Sequence, residues 1–200
     1  VDVMIYDLIT GLSIQEETYH QIIRDIKPEN CGLDRSGLFC FFDIDPCIIG
    51  LKRNTTPERN SFTPTYAHPD VIDLTKEGDL RADPSQDKFE IASTIMSLIA
   101  HLCREAALLK EFEDVPMSIL CNPIHNPKCV SNRRERAHVL NSLSRRLYPK
   151  IIHPDIKRVL LILFKGTATY TQLLKSPWGK RVQEQLQENP DIRTCLSTIS

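Results

Sequence analysis

The stretch Lys88 to Glu113, KFEIASTIMSLIAHLCREAALLKEFE, decides how the rest of the chain is read, because no other segment combines that length with so regular an apolar spacing. At about 100° per residue, Ile91, Ile95, Leu98, Ile99, Leu102, Cys103, Ala106 and Leu109 fall on one broad helical face. Only a narrow strip of Ser93, Ser97, Ala100, Arg104 and Glu111 is left opposite. So wide an apolar face needs neighbours on two or three sides, and each buried Leu or Ile contributes roughly 1.5 to 3 kcal/mol. The expected fold class is therefore mainly α, a helical bundle around this long central helix.

Working toward the N-terminus, residues 52 to 87 change character. Pro57, Pro64, Pro69 and Pro84 fall among Asn, Thr, Ser and Arg, and the one apolar cluster is VIDL at 71 to 74. A long loop or linker is expected there. Before it, LFCFFDI and CIIGL are β-prone runs broken at Asp45-Pro46, which predicts a small hairpin-like element near residues 38 to 51. Ser13 and Glu16 form a capping box ahead of Ile14, Ile22, Ile23 and Ile26, so a helix is expected over 14 to 27. Residues 1 to 9 alternate at Val1, Val3 and Ile5 and suit either a short strand or the lead-in to a helix.

Toward the C-terminus, Pro116, Pro123 and Pro127 hold CNPIHNPKC out of regular structure. Asn132 with Glu135 predicts a helix to Leu147, and Pro154 sits at the first position of IKRVLLILFK. Ser176-Pro177 and Asn189-Pro190 repeat a cap-then-proline pattern before two further helices. Together these readings give a single domain over 1 to 200, subdivided into an N-terminal α/β portion (1 to 51), a linker (52 to 87) and a helical bundle (88 to 200).

Composition is that of an ordinary globular chain, 200 residues with 41% hydrophobic and 26% charged. The formal charge of −1 is polarised: nine basic and two acidic residues between Lys128 and Arg158 give +7, and the remainder carries −8. Seven cysteines without paired spacing argue against a secreted disulfide framework and for the cytoplasm or nucleus. The Asn54-Thr55-Thr56 acceptor triplet is discounted on the same ground. No apolar run approaches 18 residues, so a soluble chain with no membrane partner is expected. The chain opens on Val rather than Met, as an excised or processed fragment would.

Three segments carry functional expectations. On a helix from 132 to 147, Val139, Leu140, Leu143 and Leu147 share one side while Arg134, His138, Asn141 and Arg145 share the other, so cations project together. Guanidinium forks suit phosphate oxygens and release counterions. Arg133, Arg134, Arg136, Arg145, Arg146 and Lys150 are the candidate nucleic-acid contacts, RNA or backbone-directed. The bland alternative is a solvated face, or arginines paired with the chain's own acids.

The second segment is Val71-Ile72-Asp73-Leu74-Thr75, which resembles SUMO-interacting motifs over five residues. The resemblance implies a strand added to a partner's sheet, with Val71, Ile72 and Leu74 in an aliphatic groove and Asp73, Glu77 and Asp79 near basic residues. The alternative is that Ile72 and Leu74 anchor the loop in this protein's own core. The resemblance supports a second functional expectation, a protein-interaction adaptor or oligomerisation domain.

The third is Cys121-x3-His125-x3-Cys129, three residues of the types zinc prefers, with a fourth ligand needed from elsewhere, either His101 or Cys103, or Cys31, Cys40, Cys47 or His138. Inert cysteines are the alternative, and no other cofactor is implied.

Catalysis finds little support. Asp43 and Asp45 would share a strand face but lack a companion base, and no phosphate-cradling glycine loop, nucleophile elbow or metalloprotease helix occurs. The expectation is a non-catalytic binding module.

Overall fold

The computed structural model describes residues 1–44, 48–49, 63, 66–67, 84–108 and 154–198, with side chains placed throughout except at 48–49 and 100–108. In chain order the described elements are α1 (Asp2–Glu17), β1 (Gln21–Ile22), a short 3-10 turn (Pro28–Asn30), β2 (Cys31–Leu33), β3 (Phe39–Phe41) and β4 (Ile48–Ile49). They continue as α2 (Pro84–Leu108), α3 (Pro154–Lys165), α4 (Tyr170–Leu174), α5 (Pro177–Glu188) and α6 (Asp191–Ser197). The protein is thus helix-rich with small antiparallel strand pairs.

The first helix forms where the sequence favoured no single state. Ile5, Leu8, Ile9 and Leu12 recur at three- and four-residue steps and are all buried, a helical stripe that outweighs the alternation of Val1, Val3 and Ile5. The expected helix over 14 to 27 is corrected accordingly. Ser13 lies inside α1 rather than capping a later helix, its hydroxyl 3.2 Å from that of Thr171. The chain leaves α1 through His20, at a left-handed φ of 52°. Gln21–Ile22 form β1, and residues 23 to 26 follow without regular structure. Ile22, Ile23 and Ile26 are buried as a helix would bury them, but the main chain finds its partners elsewhere in the fold.

The hairpin is corrected too. β3 pairs with β2, not with β4, in the register Cys31↔Phe41, Gly32↔Cys40, Leu33↔Phe39, and β4 pairs with β1. The β2–β3 turn is built by Asp34, whose Oδ1 accepts from the Ser36 amide (2.8 Å), the Ser36 hydroxyl (2.7 Å) and the Leu38 amide (2.9 Å). Gly37 supplies the left-handed φ of 75° that closes it.

α2 is helical from Pro84, four residues before the stretch that announced it, with proline in the first turn where its missing amide is harmless. The predicted polar strip is corrected: Ser93 and Thr94 are fully buried, as are Asp87 and Glu90, so this part of α2 is enclosed on every side. It packs mainly on α3, where Phe89 meets Phe164 edge-on with ring centroids 5.2 Å apart.

One core cluster draws on α1, the 23–26 segment, Tyr66, α2, α3, α4 and α5. Proline at the start of α3 and the Ser176 cap of α5, which accepts from the Gly179 amide, agree with the sequence. Asn189 does not cap α6: it closes α5, its amide side chain donating to the Gln185 carbonyl at 3.2 Å. α4 carries an unanticipated capping box between Thr169 and Gln172.

Candidate functional site

The residues singled out in sequence, Arg133, Arg134, Arg136, Arg145, Arg146 and Lys150, the motif Val71, Ile72, Asp73 and Leu74, and Cys121, His125 and Cys129, lie outside the described residues. So does Asp45, while Asp43 is exposed at a left-handed φ of 52°. Among the described residues no three His, Cys, Asp or Glu side chains are grouped to hold a metal ion. No described helix is long and apolar enough to cross a membrane.

What the fold does bring together is a layer of buried charge between α1, the 23–26 segment and α2. The first turns of α2 place Asp87, Glu90 and Thr94 along one side, at steps of three and four residues. Asp87 accepts from the Ile23 amide through Oδ2 (2.7 Å) and from the Arg24 amide through Oδ1 (2.8 Å). Glu90 Oε2 accepts from the Ile26 amide at 3.0 Å, and the Thr94 hydroxyl donates to the Ile26 carbonyl at 2.9 Å. Helix side chains thereby do for residues 23 to 26 what a neighbouring strand would do, satisfying buried main-chain groups that would otherwise be costly. Arg24 is held at a left-handed φ of 66°, a conformation a non-glycine residue keeps only when its surroundings impose it.

Electrostatics in this layer are set by burial. Withdrawal from water raises the Asp87 carboxyl to about 6, overcoming the two amide hydrogen bonds that favour its anion. Burial, then the neighbouring Asp87, raises Glu90 well above its ordinary range. Burial also lowers Arg24, against the pull of Glu90 and Asp87. Lys88 reaches toward Glu16 at 3.8 Å and lies 5.4 Å from the ring centre of Tyr170. Both Asp87 oxygens are consumed by this chain's own amides, so the arrangement holds backbone in place rather than offering a carboxylate to a substrate.

A second feature is open to solvent. Tyr6, Gly11 and Ile14 of α1 and Leu38, Phe41 and Ile44 around β3 line a largely apolar groove of about 370 Å³. Gly11 leaves room for the Phe41 ring, which lies 3.6 Å from where a Cβ would stand. Ile14, Leu38 and Ile44 are exposed at its margin. Cys40 also lines the groove, its thiol pushed up by burial, while burial takes Cys31 to about 12, so neither favours the thiolate.

At one end Arg193 of α6 forks onto both oxygens of the buried Asp7 and donates to the Gly37 carbonyl at 3.0 Å, while Asp7 also accepts from the Phe39 amide at 3.2 Å. This pair fastens three elements and raises Arg193 through its hydrogen bonds to Asp7.

Sequence reading missed Asp87 because the helix begins at Pro84, four residues before the stretch whose periodicity marks it. With the start at Pro84, the recurrence Asp87, Glu90, Thr94 inside an apolar helix was the available signal. Nothing in sequence marked Asp7 and Arg193, which are 186 residues apart. No protein-family model matches this chain, and no curated protein matches it.

Proposed function

We propose that this chain is a non-catalytic binding module of the cytoplasm or nucleus, a bundle organised on α2, that binds nucleic acid, RNA foremost, through Arg133, Arg134, Arg136, Arg145, Arg146 and Lys150. The observation that carries the reading is the concentration of +7 formal charge in residues 128 to 158 of a chain whose sum is −1. The main alternative use for those arginines is internal pairing, and much of the described acid is already engaged. Asp2 is held by Trp178 and Arg181, Asp7 by Arg193, Asp25 by Lys27 and Thr63, Glu16 by Lys88, and Asp87 and Glu90 by main-chain amides.

The test is Arg134→Glu combined with Arg145→Glu, assayed on single- and double-stranded RNA and DNA. Loss of two phosphate contacts should weaken binding across all sequences and flatten the salt dependence by about two in slope. Unchanged affinity on every probe contradicts the reading.

A second reading, a protein-interaction adaptor or oligomerisation domain, is favoured by the apolar groove with Ile14, Leu38 and Ile44 exposed at its margin, and by the likeness of Val71, Ile72, Asp73 and Leu74 to SUMO-interacting motifs. Strand addition or helix docking responds to salt far less than phosphate binding does, which separates the two readings.

A further inference from the structure

We propose that the groove between α1 and β3 takes an extended, uncharged aliphatic segment of a partner protein as a strand added to the outer edge of β3. The inference rests on the adaptor reading and names the partner's conformation and chemistry. Within the β2–β3 ladder the Asp34 amide donates to the Leu38 carbonyl (2.9 Å) and the Phe42 amide to the Asn30 carbonyl (2.8 Å), with Gly32 opposite Cys40. Main-chain groups alternate in direction along a strand, so residues 38, 40 and 42 turn theirs to β2 while Phe39 and Phe41 turn theirs away. The Phe39 amide donates to Asp7 at 3.2 Å. The Phe39 carbonyl and both main-chain groups of Phe41 have no partner among the described residues.

That edge borders the groove. Residues 38 to 41 line it in unbroken succession and no residue of β2 does, which places the groove along the far side of β3. Asp7, the acceptor for the Phe39 amide, lines it too. Ile14 and Ile44, 47% and 38% exposed, stand at its margin. Its charged described lining residues, Asp7 and Arg193, are paired with each other, so the groove offers an occupant no free charge.

These features select the occupant. A helix consumes its own amides and carbonyls, and a purely apolar ligand has none to offer, so neither would satisfy Phe41. An extended peptide brings donors and acceptors at strand spacing, with alternate side chains directed to the apolar margin. Three residues of β3 at about 3.4 Å each span about 10 Å, so the paired stretch is short and its aliphatic contacts matter as much as its hydrogen bonds.

The probe is an end-capped, neutral peptide of about seven alternating Thr and Val residues, titrated into the full chain and followed by amide resonances and hydrogen exchange. At about ten times its Kd the Phe41 amide should exchange about tenfold more slowly, with the amides of α5 unchanged. The same peptide N-methylated at every residue keeps the side chains but loses the donors, and should bind at least about tenfold more weakly. Ile14→Lys, an exposed change in the last turn of α1 where a cation is tolerated, should weaken binding about tenfold at unchanged melting temperature. Equal affinity of the N-methylated peptide, binding that leaves the Phe41 amide unprotected, or no binding at millimolar peptide overturns the proposal. Protection of Phe41 that grows with protein concentration alone, together with a doubled mass, assigns the edge to a second copy and overturns it as well. The SUMO-probe arm of the adaptor reading is tested apart, by Ile72→Ala with Leu74→Ala, so either can fail without the other.

Discussion

Replacing Arg193 by alanine isolates the contact that ties α6 to the rest of the fold. α6 is at most half-buried, and the guanidinium fork to Asp7 with the bond to the Gly37 carbonyl is its strongest described polar attachment. The Asp7 side chain is 2% exposed and the Arg193 side chain 28%. Removing one member of a buried ion pair costs about 3 to 5 kcal/mol when the survivor stays dry. Water reaches the Arg193 side of this pair, and Asp7 keeps the Phe39 amide, so about 2 to 3 kcal/mol is the appropriate size. With a urea slope of about 2 kcal/mol per molar, the unfolding midpoint should fall by about 1 M at unchanged slope.

Asp7→Asn together with Arg193→Ala should recover part of the loss, since no unpaired carboxylate is then enclosed. A double-mutant cycle should give a coupling of about 1.5 to 2 kcal/mol. A loss under about 0.5 kcal/mol for Arg193→Ala alone would refute the reasoning, because it would mean that Asp7 rehydrates without cost.

Three further outcomes are expected. In Gly179→Ala the new methyl would lie 2.1 Å from the Leu174 carbonyl oxygen, a backbone atom that cannot yield, and thermal unfolding should show a loss of more than about 2 kcal/mol. Stability should fall as pH rises: the folded state holds the Asp87 proton up to about 6 and the unfolded chain only to 3.8, so stabilisation is complete below 3.8 and lost through 6. The raised Glu90 acts in the same sense, and calorimetry should give a higher melting temperature at pH 5 than at pH 7.5. Ile72→Ala with Leu74→Ala should abolish binding to a SUMO probe at unchanged melting temperature under the adaptor reading, whereas a lowered melting temperature assigns both residues to the core.

The helices were legible in sequence where apolar periodicity is sustained, as in α2, or where a local start signal accompanies it, as at Pro154 of α3 and Ser176 of α5. They were misread where distant partners decide. Ile22, Ile23 and Ile26 have helical spacing, yet Asp87, Glu90 and Thr94 bind the main chain of residues 23 to 26 in a non-helical path, and no local signal reports a hydrogen bond spanning about 64 residues. The hairpin failed for a related reason, since Asp34 and Gly37 close a tight turn that assigns β3 to β2. Of the proposed contacts, the basic run was visible because charge is additive along the chain. The Asp7–Arg193 fork was not, because it depends on α1 and α6 meeting.

The salt dependence of nucleic-acid affinity tests the functional claim most directly. If the six proposed contacts among the nine cations of the 128 to 158 segment each meet a phosphate, the logarithm of the association constant should fall with that of salt at a slope of about −4 for single strands. A slope near zero, or no measurable binding at about 50 mM salt, contradicts it.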